Sequence, residues 1–213
     1  MNGLALALLA AALLTALLDW VAVARSARRL EYVLKPVTVA LLAACAATLN
    51  PVSPPQRSWF VLALLLGMAG DIYLMLPRDL FLPGLVAFLL GHLAYIAGFA
   101  STGVSPLRAL AMAMLIALPV AVLLPRILGG LRRAGRSRLV PAVVVYVVVI
   151  AAMVAAAFAG STPFAVFPAL VFFCSDALIA FNRFVSPRPW MPVAIMITYH
   201  LAQAGLVLIL VRA

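Results

Sequence analysis

Apolar stretches of about 20 residues follow one another along this chain, and most are closed by a proline, a glycine or a group of arginines. A stretch of that length is what an α-helix needs to cross a bilayer core about 30 Å thick. The stretches are continuous rather than alternating, which excludes a membrane β-barrel. Only 9% of the 213 residues are charged, against about 25% in a soluble domain. Mean hydropathy is +1.24. Spans are expected near 3–24, 33–49, 58–76, 80–100, 107–125, 139–159, 163–182 and 190–211. Joints fall at Asn50-Pro51, Pro54-Pro55, Pro77, Ser105-Pro106, Gly129-Gly130, Pro163 and Pro187 with Pro189. Pro119, Pro141 and Pro168 are expected to kink or begin helices. The fold class is all-α: a polytopic transmembrane bundle of eight helices, one transmembrane domain over 1–213.

The net charge of +10 is a topology signal and not a nucleic-acid signal, because the basic residues sit in short connections. One side holds Arg25, Arg28, Arg29, Lys35, Arg78, Arg126, Arg132, Arg133, Arg136, Arg138, Arg183 and Arg188. The other holds Arg57, Arg108 and Arg212. The positive-inside rule then puts the first set in the cytoplasm and both termini outside, in the cell's inner (cytoplasmic) membrane. The stretch Leu4 to Ala24 has no preceding Lys or Arg and is longer than a signal-peptide core, so it is expected to be a retained first helix. Cys45 and Cys174 fall in apolar runs and are expected to be small buried hydrophobes without a disulfide.

Three of the five acidic residues, Asp19, Asp71 and Asp176, lie inside these spans. A carboxylate there costs about 2.5–3.5 kcal/mol on insertion scales, so it faces the protein interior and marks a site. By helix rise, Asp71 and Asp176 both lie roughly 8–10 Å inside the arginine-rich boundary. Asn182 and Arg183 lie below Asp176, and His92 and His200 near the midplane. Asp71 has an alternative reading as the ion-pair partner of Lys35 or an arginine. Gly67 and Gly70 permit close helix approach. Phe81, Phe88, His92, Tyr95 and Phe99 make one face of helix 4, which reads either as an aromatic packing face or as an acyl-chain groove leading to a polar centre. Ser175 reads as a local cap. Tyr199 and Gln203, four apart, share a face and are candidate interior donors.

No Gly-x-Ser-x-Gly elbow, P-loop or His-Glu-x-x-His is present. A metal shared by His92, His200 and an aspartate satisfies the ligand types without a diagnostic spacing. Paired carboxylates, one neutral and one charged, are the simplest engine, with no cofactor. A proton relay in a small-molecule or lipid transporter is the rival from another class, although the two halves show no internal repeat.

Lys35-Pro36, Gly70-Asp71 with Leu74, Phe81 with Gly84, Phe88, His92 and Tyr95, then Ser175-Asp176, then Tyr199 with Gln203, together resemble the YhhN family of bacterial membrane proteins, whose animal relatives include TMEM86-type lysoplasmalogenases. The family often has a second Tyr where this chain has His200. The resemblance implies hydrolysis of the vinyl-ether bond of a lysoplasmalogen, a lysophospholipid drawn from the bilayer. The products are a fatty aldehyde and a glycerophospho-ethanolamine or -choline. Such a reaction needs a protonated carboxyl in an apolar site, a nearby carboxylate and an oriented water. On this reading Asp71 and Asp176 are catalytic. Lys35, Phe81, Phe88, His92, Tyr95, Tyr199, His200, Gln203, Asn182 and Arg183 bind substrate, the tail lying along Phe81, Phe88 and Phe99 and the phosphate near Lys35 and Arg183.

Overall fold

The computed structural model describes residues 1–51, 53–160 and 162–211; Arg212, counted in the charge tally, lies outside the described residues. Eight helices are long and apolar enough to cross a membrane among these residues. They are α1 (Gly3–Ala24), α2 (Arg28–Thr48), α3 (Pro54–Met75), α4 (Phe81–Ala100), α5 (Pro106–Arg133), α6 (Val140–Ala159), α7 (Val166–Phe184) and α8 (Met191–Leu208). The chain is a multi-pass membrane protein. Short 3₁₀ turns, Ser137–Leu139 and Pro163–Ala165, lead into α6 and α7.

Side-chain caps and prolines set several starts. Asn2 accepts the Ala5 N–H at 2.7 Å, Ser53 caps α3 and Ser105 caps α5. Proline follows at the first turns of α3 and α5, where a missing N–H costs nothing. Pro54-Pro55 therefore opens α3 rather than ending a loop.

Two expected boundaries move. Arg28, Arg29 and Lys35 belong to α2, with Pro36 inside it. Likewise α5 runs through Gly129-Gly130 to Arg133 instead of ending at 125, with Pro119 and Pro125 inside. The glycine pair is not a joint: a Cβ on Gly130 would stand 1.9 Å from the Phe184 carbonyl oxygen. Glycine there lets α5 press on the end of α7, which outweighs its poor helix propensity.

Consecutive helices pair as antiparallel hairpins, except α4 and α5. A circuit α1–α2–α3–α4–α6–α7–α8 closes through the contact of α8 with α1 and α2. Helix α5 stands outside the circuit against α6 and α7, with Leu107, Met114, Leu115 and Leu118 exposed on its outer face. The α3–α4 pair is the tightest because glycines line it. A Cβ on Gly70 would fall 2.5 Å from the Phe88 ring.

Cys45 is buried, as expected, but Cys174 is exposed on α7. An apolar run predicts membrane burial for every member, whereas the helix turns this one away from the protein interior. At one end of the bundle, Asp79 between α3 and α4 accepts from Arg183 at 2.6 Å and pairs with Arg136 at 2.7 Å. Two connections and the last turn of α7 are thereby tied together at the arginine-rich end.

Candidate active site

Two hydrogen-bonded clusters occupy the interior of the circuit. The first is centred on Asp71 of α3, which is 1% exposed. Lys35 Nζ lies 2.9 Å from Asp71 Oδ1, and the Tyr199 hydroxyl donates to Oδ2 at 2.7 Å. Gln203 Nε2 donates to Tyr199 Oη at 3.2 Å, while its Oε1 accepts from the Tyr95 hydroxyl at 2.6 Å. Every proton in the chain Tyr95–Gln203–Tyr199 is committed in one direction, and that direction ends on Asp71. A buried carboxylate next to an ammonium is stable only with such partners. Gly67 makes the room, since a Cβ there would come within 3.1 Å of Gln203 Nε2.

The second cluster joins α4, α6 and α7. Tyr146 Oη donates to Asp176 Oδ2 at 2.6 Å, His92 Nε2 lies 3.1 Å from the same oxygen and 2.9 Å from Tyr146 Oη. His92 Nδ1 faces Met153 Sδ at 3.2 Å. The three atoms form a closed triangle. The single hydroxyl proton of Tyr146 satisfies one edge; another edge is a hydrogen bond only if His92 Nε2 or Asp176 carries a further proton. A neutral His92 with its hydrogen on Nε2 supplies that second bond.

Aromatic rings separate the two clusters. Phe172 meets His92, Tyr95 and Tyr199 edge to face at centroid distances of 4.9, 6.5 and 5.6 Å. Phe88 does the same to Tyr199 at 6.0 Å. Asp71 and Asp176 are therefore not a side-by-side dyad: among the described residues no hydrogen bond and no common partner links them.

The second cluster opens onto a cavity. A cavity of about 70 Å³ lies among α4, α5, α6 and α7, walled by residues such as Phe81, Phe88, Leu123, Ile150 and Phe173. Asp176 and Tyr146 are the only lining residues with hydrogen-bonding side chains. Phe81 and Phe88 line this cavity. Phe99 does not; it packs on Phe60 at 5.2 Å in the core.

The remaining expected site residues divide. Tyr95, Tyr199 and Gln203 join the Asp71 chain, and His92 joins Asp176. Lys35 is not at the rim as a phosphate partner. It is 6% exposed and its ammonium is given to Asp71, because α2 starts earlier than its hydropathy suggests and carries Lys35 two turns into the bundle. Arg183 is at the rim with Asp79. Asn182 is half-buried and accepts the Arg188 N–H at 3.3 Å, away from both clusters. His200 is buried but turned the other way: its Nδ1 accepts the Trp20 indole N–H at 3.0 Å. No arrangement brings His92 and His200 around one aspartate, and among the described residues no three His, Cys, Asp or Glu side chains converge on a metal-binding point. Ser175 donates across to the Ile195 carbonyl of α8 at 3.1 Å rather than capping locally.

Sequence reasoning missed Tyr146. The signal was present, since it is the one side chain with a hydrogen-bonding oxygen in the whole of α6. Trp20 was missed as well; a tryptophan beside an intramembrane aspartate gave no pattern to read.

Residues 30–210 match the YhhN family, which leaves α1 outside the match. Similar proteins include the Lysoplasmalogenase of Mycobacterium bovis and that of Mycobacterium tuberculosis, each 32% identical over 177 residues, covering 78% of this chain and 65% of theirs. The pig Lysoplasmalogenase TMEM86B is 36% identical over 143 residues, covering 66% of this chain and 58% of its own. The matched part thus spans under two thirds of these relatives' length. No solved structure matches.

Proposed function

This chain belongs to the YhhN family, and from that premise we propose that it is a lysoplasmalogenase-like hydrolase of the inner membrane that cleaves the vinyl-ether bond of a lysophospholipid. The observation that carries the reading is the apolar cavity whose only hydrogen-bonding side chains are Asp176 and Tyr146. An alkenyl chain fits such walls, and its vinyl ether meets the hydrogen-bonded triangle.

In the proposed reaction Asp176, in its acid form, delivers a proton to the β-carbon of the vinyl ether. The double bond's electrons form the new C–H bond, and positive charge appears on the adjoining carbon and ether oxygen. Water adds to that carbon and loses a proton to the Asp176 carboxylate. The resulting hemiacetal breaks its bond to the glycerol oxygen, giving a fatty aldehyde and a glycerophospho-alcohol. Tyr146 and His92 orient the Asp176 carboxyl and return the proton. Asp71 lies behind the rings of Phe88 and Tyr199 and is paired with the Lys35 ammonium, so its part in this reaction is to hold α2, α3 and α8 together beside the site rather than to supply net charge. Both termini lie outside in this proposal. Reporter fusions after Gly135 and at the C-terminus should report opposite faces, and the same face for both overturns that orientation.

The function is tested by incubating the purified chain with a lysoplasmalogen and with an ester lysophospholipid and following products by mass spectrometry. Aldehyde from the first substrate alone is expected. Fatty acid from the ester with no aldehyde from the vinyl ether would sink the proposal.

A further inference from the structure

The arginine-rich end of the cavity carries a pair of guanidinium groups to which the proposed reaction assigns no step. Asp79 sits half exposed between two guanidinium groups, one oxygen on each: Arg183 on Oδ1 at 2.6 Å and Arg136 on Oδ2 at 2.7 Å. Asp79 is the sole acidic residue of the connections at this end, while Arg78, Arg136, Arg138 and Arg188 lie in them and Arg132, Arg133 and Arg183 in the adjoining helix turns. One carboxylate shared by two guanidinium groups leaves a positive excess in a geometry suited to a two-oxygen anion.

The second observation ties this pair to the cavity. The Arg183 guanidinium lies over the Phe81 ring at 4.6 Å from its centroid and 5.8 Å from that of Phe184. Both rings line the cavity and meet edge to face at 5.3 Å. Arg183 therefore stands at the cavity mouth. It lies seven residues after Asp176 on α7, which places the two on the same face about 10 Å apart along the axis. That is roughly the extended reach from a phosphate, across glycerol, to a vinyl ether on the first glycerol carbon.

We propose that Arg136 and Arg183 form the binding site for the phosphodiester of the lysolipid, and that Asp79 holds the two guanidinium groups in place by occupying the position of the phosphate until substrate arrives. This rests on the proposed function for the lipid's identity, but not for the anion's. The hydrogen bond from Arg136 holds the Asp79 carboxyl below the usual carboxylate range; burial opposes it, and the charges of Arg136 and Arg183 and the hydrogen bond from Arg183 add to the lowering, so it competes as an anion at neutral pH. Phosphate offers a doubly bidentate fit and displaces it.

The test uses the full chain in lipid nanodiscs and two non-hydrolysable probes, an alkyl-ether lysophospholipid and the corresponding alkylglycerol without phosphate. Wild type should bind the phospholipid about tenfold more tightly, the yield of one or two charge-assisted hydrogen bonds. Arg136→Gln and Arg183→Gln should each erase most of that preference and leave alkylglycerol binding alone. Asp79→Asn separates this site from a structural clasp: removal of the competing carboxylate should tighten phospholipid binding about threefold. Equal affinity of wild type for both probes overturns the proposal. So does an Asp79→Asn variant that weakens both probes in parallel. Inorganic phosphate at the lipid's own concentration should displace nothing; displacement would overturn the lipid as its source. Should an arginine variant fail to fold, the Asp79→Asn and wild-type comparisons still decide. Because the probes are not turned over, loss of aldehyde release with the phosphate preference intact sinks the hydrolytic reading alone.

Discussion

Asp71 and Asp176 are the same residue type, both within spans and each held by a tyrosine, yet their surroundings differ in kind. Asp71 is 1% exposed, with an ammonium on one oxygen and a hydroxyl on the other. Asp176 directs both its contacts through one oxygen, to a tyrosine and a histidine, and borders a cavity. The first is a closed electrostatic knot between α2, α3 and α8. The second is a hydrogen-bonded triangle of Asp176, Tyr146 and His92 at the edge of an apolar cavity. Asp71 and Asp176 therefore sit in two different settings, one in a joint that holds helices together and the other at the edge of a cavity.

That contrast is most easily broken at Lys35. Removing one partner of a buried ion pair costs about 3–5 kcal/mol, so Lys35→Ala should lower the unfolding temperature sharply, and Lys35→Met with Asp71→Leu should recover much of it. Thermal unfolding in detergent reads both; an unchanged midpoint for the single variant would remove the knot. At the other carboxylate the order of effects reverses. Asp176→Asn should lose about a hundredfold or more in aldehyde release while its unfolding midpoint stays close to wild type. A variant within a few-fold of wild type would take Asp176 out of the chemistry. Tyr146→Phe sharpens the comparison, because it removes the two edges that meet at the hydroxyl and keeps the ring. A loss of about tenfold, with a displaced pH–rate profile, is expected from one charge-assisted hydrogen bond.

The smallest effect concerns Asp79, outside the membrane region. Its folded carboxyl lies below the ordinary range, so the clasp stabilises the fold above the pH at which an unfolded aspartate titrates, and that stability is lost as pH falls through the folded value. Unfolding midpoints measured across acidic pH should show this dependence, and Asp79→Asn should flatten that part of the curve. The pair is exposed and screened, so the shift is small and shrinks with salt.

The eight helices were legible because a bilayer leaves a spanning segment no choice but helix, and about 20 apolar residues announce one. Arg28 to Lys35 and Arg126 to Arg133 misled for the same reason: a helix may continue beyond the apolar region, where hydropathy no longer follows its backbone. The site was legible in part. Asp71, His92, Tyr95, Asp176, Tyr199 and Gln203 could be picked out because each is costly where it sits. Pairing among them could not, since helical periodicity fixes the face of a residue but not which helix it faces.

The sequence by itself determined the class of the protein, its number of crossings and the identity of its buried polar residues, through the high cost of polar groups in hydrocarbon. Only the tertiary structure decided that Lys35 belongs to Asp71, that Tyr146 and His92 belong to Asp176, and that Phe88 and Phe172 stand between the two. Those choices depend on the closure of α8 onto α1 and α2 and on glycine-sized gaps such as Gly67 and Gly70, and they arise from long-range packing that no local pattern encodes.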